Sequence, residues 1–123
     1  MTEKRLLIVE DEAPLRELLA EYLVEAGFVV TEAEDADHAV EMLEGIDLLI
    51  TDLDMPGRLD GNAIATKAKV RHPGLPVIYA SGRPERLTNR IDAHDAFVDK
   101  PFGPGQITKL VRRLLDQSSA ALH

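Results

Sequence analysis

"LLITDLDMPG", residues 48–57, runs four apolar or β-prone side chains straight into Asp52, adds a second carboxylate at Asp54 and breaks at Pro56-Gly57. An acid at the end of a buried-looking strand is either a turn residue, because Asp favours turns, or a charge held where something uses it. The surrounding pattern decides between the two. Short apolar runs recur at residues 5–10 (RLLIVE), 28–32 (FVVTE), 47–51 (DLLIT), 76–80 (PVIYA) and 96–99 (AFVD). The first, third and fourth are almost continuously apolar, as central parallel strands covered on both faces must be, and the second and fifth read as edges.

Amphipathic stretches separate these runs. Leu15, Leu18, Leu19, Tyr22, Leu23 and Ala26 recur at helical spacing, with Pro14 suited to a first turn and Gly27 to the stop. Asp35 is placed to cap a second helix carrying Ala36, Ala39, Val40 and Leu43 and ended by Gly45; a third is expected over residues 62–71, before Pro73-Gly74. A last helix, residues 104–117, stripes Ile107, Leu110, Val111, Leu114 and Leu115 down one side. Segment 84–92 (PERLTNRID) offers only Leu87 and Ile91 as anchors, so a fourth helix there is expected to be weakly held. The sum is an α/β chain of (βα)₅ type, read as one domain over residues 1–123, with no repeat, linker or second domain.

Composition narrows the chemistry. A chain of 123 residues is long enough for one core. Nothing approaches the roughly 18 apolar residues of a membrane span, and the opening MTEKRLLIVEDE has the wrong order for a targeting peptide, so a cytoplasmic protein with no membrane insertion is expected. Without cysteine there are no disulfides, thiolate metal sites or cysteine nucleophiles. The net charge of −8 argues against a direct nucleic-acid partner and for a protein one. His38, His72, His94 and His123 are scattered without ligand spacing. Arg83, Arg86 and Arg90 would share one side of the weak fourth helix, which reads first as a solvated face and second as a docking surface with Lys109 and Arg113.

In open parallel sheets, ligands sit beyond the carboxyl ends of the strands, where strand order reverses. Those ends carry Glu10-Asp11, Asp52, Ser81 and Lys100. With a flavodoxin-like order 2-1-3-4-5, strands one and three are neighbours and their terminal carboxylates crowd one crevice. Such a cluster must take up protons or bind a cation, and an all-oxygen site with room for water suits Mg²⁺. A carboxylate nucleophile, a divalent ion, an ammonium group and a hydroxyl donor together describe a phosphoryl site.

With these residues in place the chain resembles the receiver domain of two-component response regulators over essentially its whole length. "LLIVEDE" resembles the family's acidic-pair segment, "ITDLDMPG" its phosphoacceptor segment, "VIYASG" its switch-hydroxyl strand and "AFVDKPF" its aromatic and lysine-proline segment. The resemblance implies that Asp52 takes a phosphoryl group from a histidine kinase phosphohistidine or a phosphotransfer protein. It further implies that Glu10, Asp11, Asp52 and the backbone carbonyl of Asp54 hold Mg²⁺, with Asp11 the more direct ligand. Lys100 would pair with the phosphoryl group, Ser81 would move to hydrogen-bond it, Phe97 would be the rotating switch aromatic, and the Lys100-Pro101 bond would be cis. The chain would act as a stand-alone receiver, a signalling domain with intrinsic phosphotransfer and autodephosphorylation, working through a downstream protein target. Two departures stand out: "PGRLDG" is one residue longer than the usual "PGMDG", and Asp54 replaces a more usual apolar side chain, where its charge bears on the phosphoryl group or on water. The rival readings are a haloacid-dehalogenase-like phosphatase, with Asp52 as nucleophile and Asp54 as general acid, and a receiver-like interaction module that is never phosphorylated.

Overall fold

The computed structural model describes residues 3–57 and 59–120, with side chains to residue 117; Arg58 of the longer loop and His123 lie outside the described residues. Five strands, β1 (Arg5–Val9), β2 (Val29–Ala33), β3 (Leu48–Asp52), β4 (Val77–Ser81) and β5 (Ala96–Asp99), form one sheet in the order β2-β1-β3-β4-β5. Every pairing is parallel. This is the flavodoxin-like doubly wound order expected from the sequence, with the reversal between β1 and β3.

The two-residue period of the strands divides the core. Leu6, Ile8, Leu48, Ile50, Ile78 and Ala80 face one side, against Leu19 and Leu23 of α1 (Ala13–Glu25) and Ile107, Val111 and Leu114 of α4 (Pro104–Ala120). Leu7, Val9, Leu49, Val77 and Tyr79 face the other, against Ala36 and Ala39 of α2 (Ala36–Val40) and Ile64, Ala65 and Ala68 of α3 (Gly61–Arg71). The continuous apolar runs are thus strands read from both faces at once. Pro14 sits in the first turn of α1, and Gly27 takes a φ of 100° that redirects the chain into β2.

Two helices depart from the pattern. The second stops at Val40 rather than reaching Gly45. Beyond it Glu41 and Met42 donate to the carbonyls of His38 and Ala39, three residues back, so the chain tightens into turns that still bury Leu43. Asp35 caps this short helix as expected, accepting from the His38 amide at 2.8 Å.

The fourth helix of the (βα)₅ expectation is replaced by a single 3₁₀ turn at Pro84–Arg86, leaving four α-helices among the described residues. What the helix would have satisfied internally, Asn62 satisfies instead. Its Oδ1 accepts from the amides of Thr88 (3.0 Å) and Asn89 (3.1 Å), and its Nδ2 donates to the Arg86 carbonyl (2.8 Å). Asn89 returns a bond to the Asn62 carbonyl at 2.8 Å. Further along, Lys69 bridges Asp92 (3.2 Å) and buried Asp95 (2.8 Å). With Ile91 exposed, only Leu87 packs against the core, and one anchor does not fix a helix. The arginine face inferred for that helix does not form: Arg86 turns back toward Asp54.

Asn62→Ala removes three of these bonds at once and leaves backbone groups of residues 86–89 without partners. Amide hydrogen exchange over 86–89 is expected to accelerate by about tenfold or more while β1, β3 and β4 keep their protection. Unchanged exchange there would mean that the segment is held by something other than Asn62.

Candidate functional site

The sheet register brings the polar strand ends to one edge. Val9 lies beside Thr51, Asp52 beside Ala80 and Ser81 beside Asp99, so the residues that follow β1 and β5 converge on the last residues of β3 and β4. Glu10 and Asp52 are buried at 3% and 2% exposure, whereas Asp11 is exposed. One carboxylate oxygen from each of Glu10, Asp11 and Asp52 lies within 4.8 Å of the others.

Lys100 holds this cluster together. Its Nζ donates to Asp52 Oδ1 at 2.9 Å and to Glu10 Oε1 at 3.0 Å. The Lys100-Pro101 peptide is cis. Burial works against the ammonium charge, but the hydrogen bonds to Asp52 and Glu10 outweigh it and hold the Lys100 pKa above its ordinary value. Glu10 is pushed up to about 8, first by burial and then by the closeness and charge of the Asp52 carboxylate. Glu12 N–H donates to Glu10 Oε2 at 3.1 Å, and the Arg16 side chain donates through Nη1 to the Glu10 main-chain carbonyl at 2.8 Å.

Asp52 Oδ1 takes both the Lys100 bond and the Asp54 amide (2.9 Å). Its other oxygen, Oδ2, is buried without a hydrogen-bond partner. A buried carboxylate oxygen left bare is costly unless a cation or a reacting group completes it. The donor set fits Mg²⁺: hard carboxylate oxygens only, two buried and one open to water, and an orphaned oxygen among them.

Ser81 is buried at the end of β4, and its Oγ donates to Asp54 Oδ1 at 2.5 Å rather than to Asp52. Gly82 N–H donates to Asp54 Oδ2 at 3.0 Å. Burial raises the Asp54 pKa, but these two bonds and the Lys100 and Arg86 charges outweigh it and hold the carboxyl below its ordinary range. The Asp54 side chain thus bonds to the end of β4, while its amide bonds to Asp52. Phe97 stands apart from the polar cluster, half-buried on β5 beside Tyr79 and packed on the α3 side of the sheet.

Sequence reasoning missed Arg16 and Gly61, and assigned Arg86 to a helical face instead of to Asp54. Gly61 opens α3 directly against β3, where a Cβ would overlap the main-chain carbonyl of Asp52. Nothing local in the sequence revealed what the glycine had to clear. His38, scattered in sequence, meets Asp35 at 2.8 Å, and with Glu34 these form a second group of ligand-type side chains; helix capping accounts for them.

Comparison with known proteins agrees with this geometry. Residues 6–112 match the family model of the response regulator receiver domain. The chain belongs to that family, the phosphorelay receivers of two-component systems. No individual identity follows from its relatives, which are similar rather than the same. It is 32% identical to the transcriptional regulatory protein ResD of Bacillus subtilis, over 95% of this chain and 50% of that protein. It is also 32% identical to the phosphate regulon transcriptional regulatory protein PhoB of Klebsiella pneumoniae, over 94% of this chain and 53% of that one. The chain thus spans about half the length of these curated relatives. Among solved structures, a response regulator receiver protein from Sinorhizobium medicae superposes with a TM-score of 0.86 at 28% identity, covering 94% of this chain and 97% of that one.

The raised Glu10 pKa has a definite consequence for stability. A carboxyl whose folded-state pKa exceeds its unfolded value stabilises the fold below the unfolded pKa, and that contribution is lost as pH rises through the folded pKa. In a chelating buffer, thermal stability is expected to decline between about pH 5 and about pH 8.5 through Glu10, with Mg²⁺ restoring most of the loss. Glu10→Gln should flatten the profile in differential scanning calorimetry; a profile equally steep in the variant would assign the decline elsewhere.

Proposed function

We propose that Asp52 is the phosphoacceptor of this receiver and that the crevice at the carboxyl edge of β1, β3 and β5 is built to receive one phosphoryl group. The single observation that carries the reading is Asp52 Oδ2, a buried carboxylate oxygen with no partner, beside an ammonium group and two further acids. Oδ2 attacks phosphorus, the new O–P bond forms as the P–N bond of a phosphohistidine breaks, and the electron pair and a proton remain with the departing imidazole. Lys100 holds Oδ1, which fixes the orientation of the carboxylate and leaves Oδ2 without a competing bond. Glu10, Asp11, Asp52 and the Asp54 carbonyl are the groups that would hold Mg²⁺, which when bound supplies positive charge against the phosphoryl oxygens.

An aspartyl phosphate adds charge and acceptor oxygens that the resting crevice does not satisfy. Ser81, Lys100 and the backbone after β4 supply the donors, at the cost of shifting the Gly82–Arg86 region, and Phe97 on neighbouring β5 is placed to register the shift. Carrying a switch from 1:99 to 99:1 takes about 5.5 kcal/mol, within reach of a few charge-assisted bonds. The donor is a histidine kinase or phosphotransfer protein and the output a downstream protein surface, in keeping with a chain whose net charge of −8 does not suit a nucleic-acid backbone. We read the receiver as returning to rest by its own hydrolysis of the acyl phosphate.

The phosphatase reading gives Asp54 the role of general acid. Its carboxyl is held below the ordinary range by Ser81, Gly82, Lys100 and Arg86, so near neutral pH it has no proton to give.

Incubated with Mg²⁺ and acetyl phosphate, the protein is expected to gain the mass of one phosphoryl group, and Asp52→Asn is expected to gain none. Labelling that persists in Asp52→Asn would place the acceptor elsewhere. Absence of label in the parent protein would favour an interaction module, and steady turnover of a generic phosphate ester would favour the phosphatase.

A further inference from the structure

Resting on the reading of Asp52 as phosphoacceptor, the arrangement around Asp54 leads one step further. On that side of the crevice the Asp54 carboxylate already engages groups able to receive an anion. Ser81 Oγ donates to Oδ1 and Gly82 N–H to Oδ2. Lys100 Nζ lies 4.0 Å from Oδ2, and Arg86 Nε lies 3.7 Å from Oδ1. The serine has one proton and two neighbouring acceptors, and it stands nearer to Asp54 (2.5 Å) than to the Arg83 carbonyl (3.0 Å), as expected when the acceptor is charged.

We propose that the Asp54 side chain is an internal competitor for the phosphoryl seat: its carboxylate occupies the Ser81 and Gly82 donors at rest, with the Lys100 ammonium close by, and must be evicted when Asp52 is phosphorylated. A carboxylate and a phosphoryl group ask for the same donors, and two anions cannot share them at contact distance. The Asp54 amide remains bound to Asp52 Oδ1, so eviction needs only rotation of the side chain. Because Arg86 belongs to the 3₁₀ turn at Pro84–Arg86, loss of Asp54 from the seat also removes the ion pair that ties this turn to the crevice. The seat is thereby available for only a fraction of the time, and apparent affinity for any phosphoryl mimic is reduced by that fraction.

The test uses beryllium fluoride, a tetrahedral phosphoryl mimic that cannot be hydrolysed, with Mg²⁺, and measures its dissociation constant by titration. Asp54→Ala is expected to bind it about tenfold to a hundredfold more tightly than the parent, the range set by the loss of one or two charge-assisted bonds. Asp54→Asn, which keeps the size and loses the charge, should fall between. Arg86→Ala, which loosens the occupant without touching the seat, should tighten binding by a smaller factor. Parent and Asp54 variants binding equally, or the variants binding more weakly, would overturn the competitor role and leave the phosphoacceptor reading standing. If neither the parent nor any variant bound the mimic, and none took a phosphoryl group from acetyl phosphate, both would fall together.

Discussion

The ammonium of Lys100 between Glu10 and Asp52 is the interaction on which this edge of the molecule depends. Two nearly buried carboxylates facing each other across adjacent strands would repel, and burial makes that repulsion expensive because little water screens it. One amine bonded to both, together with a Glu10 pKa pushed to about 8, lets the fold tolerate the cluster. The amine also selects which oxygen of Asp52 is used up. By taking Oδ1 it leaves Oδ2 bare, so the interaction that makes the acids tolerable also leaves one of them with an unpaired oxygen.

That arrangement is inseparable from the sheet. The acids follow β1 and end β3, neighbours only because the chain reverses its winding between them, and the lysine follows β5 at the far edge. A hydrogen bond between residues 90 apart in sequence is therefore a statement about topology. The three central strands each contribute an apolar body, packed on both faces, that gives way to polar residues where cover from the helices runs out. The stiffness of the core then fixes the polar ends relative to one another, which loops alone would not do.

This explains what the sequence revealed. The three central strands and the residues at their ends were legible because burial on both faces writes itself as unbroken apolar runs, and because each run stops at a charged or hydroxyl residue; the edge strands and the order followed from the alternation of strand and helix and the fold type it implies. The ends of α1 were legible through Pro14 and Gly27. Less legible were features set by a partner distant in sequence. Asn62 looks like an ordinary helix-opening residue, yet it supplies the bonds that a helix at 84–92 would have made for itself. Nothing local marks Gly61, yet its lack of a side chain is demanded by the Asp52 carbonyl. Arg86 was counted as part of a helical face, and with no helix it faces Asp54. The second helix was overextended because Leu43 keeps the helical period while the chain has already tightened into turns.

These less legible residues form a physical connection between the crevice and the segment after β4. Thr51 Oγ1 donates to the Gly61 carbonyl at 3.3 Å, so the end of β3 and the start of α3 are bonded as well as packed. The next residue, Asn62, grips residues 86–89, and Arg86 closes the circuit at Asp54, two residues beyond Asp52. A segment held by side-chain bonds instead of its own helical ladder has little stability of its own and takes its position from whatever holds it. It is thus the element of this fold most easily given a second position, and both of its tethers end beside Asp52. Charge added at Asp52 would act on those tethers directly, so coupling between the crevice and this surface needs no rearrangement of the sheet.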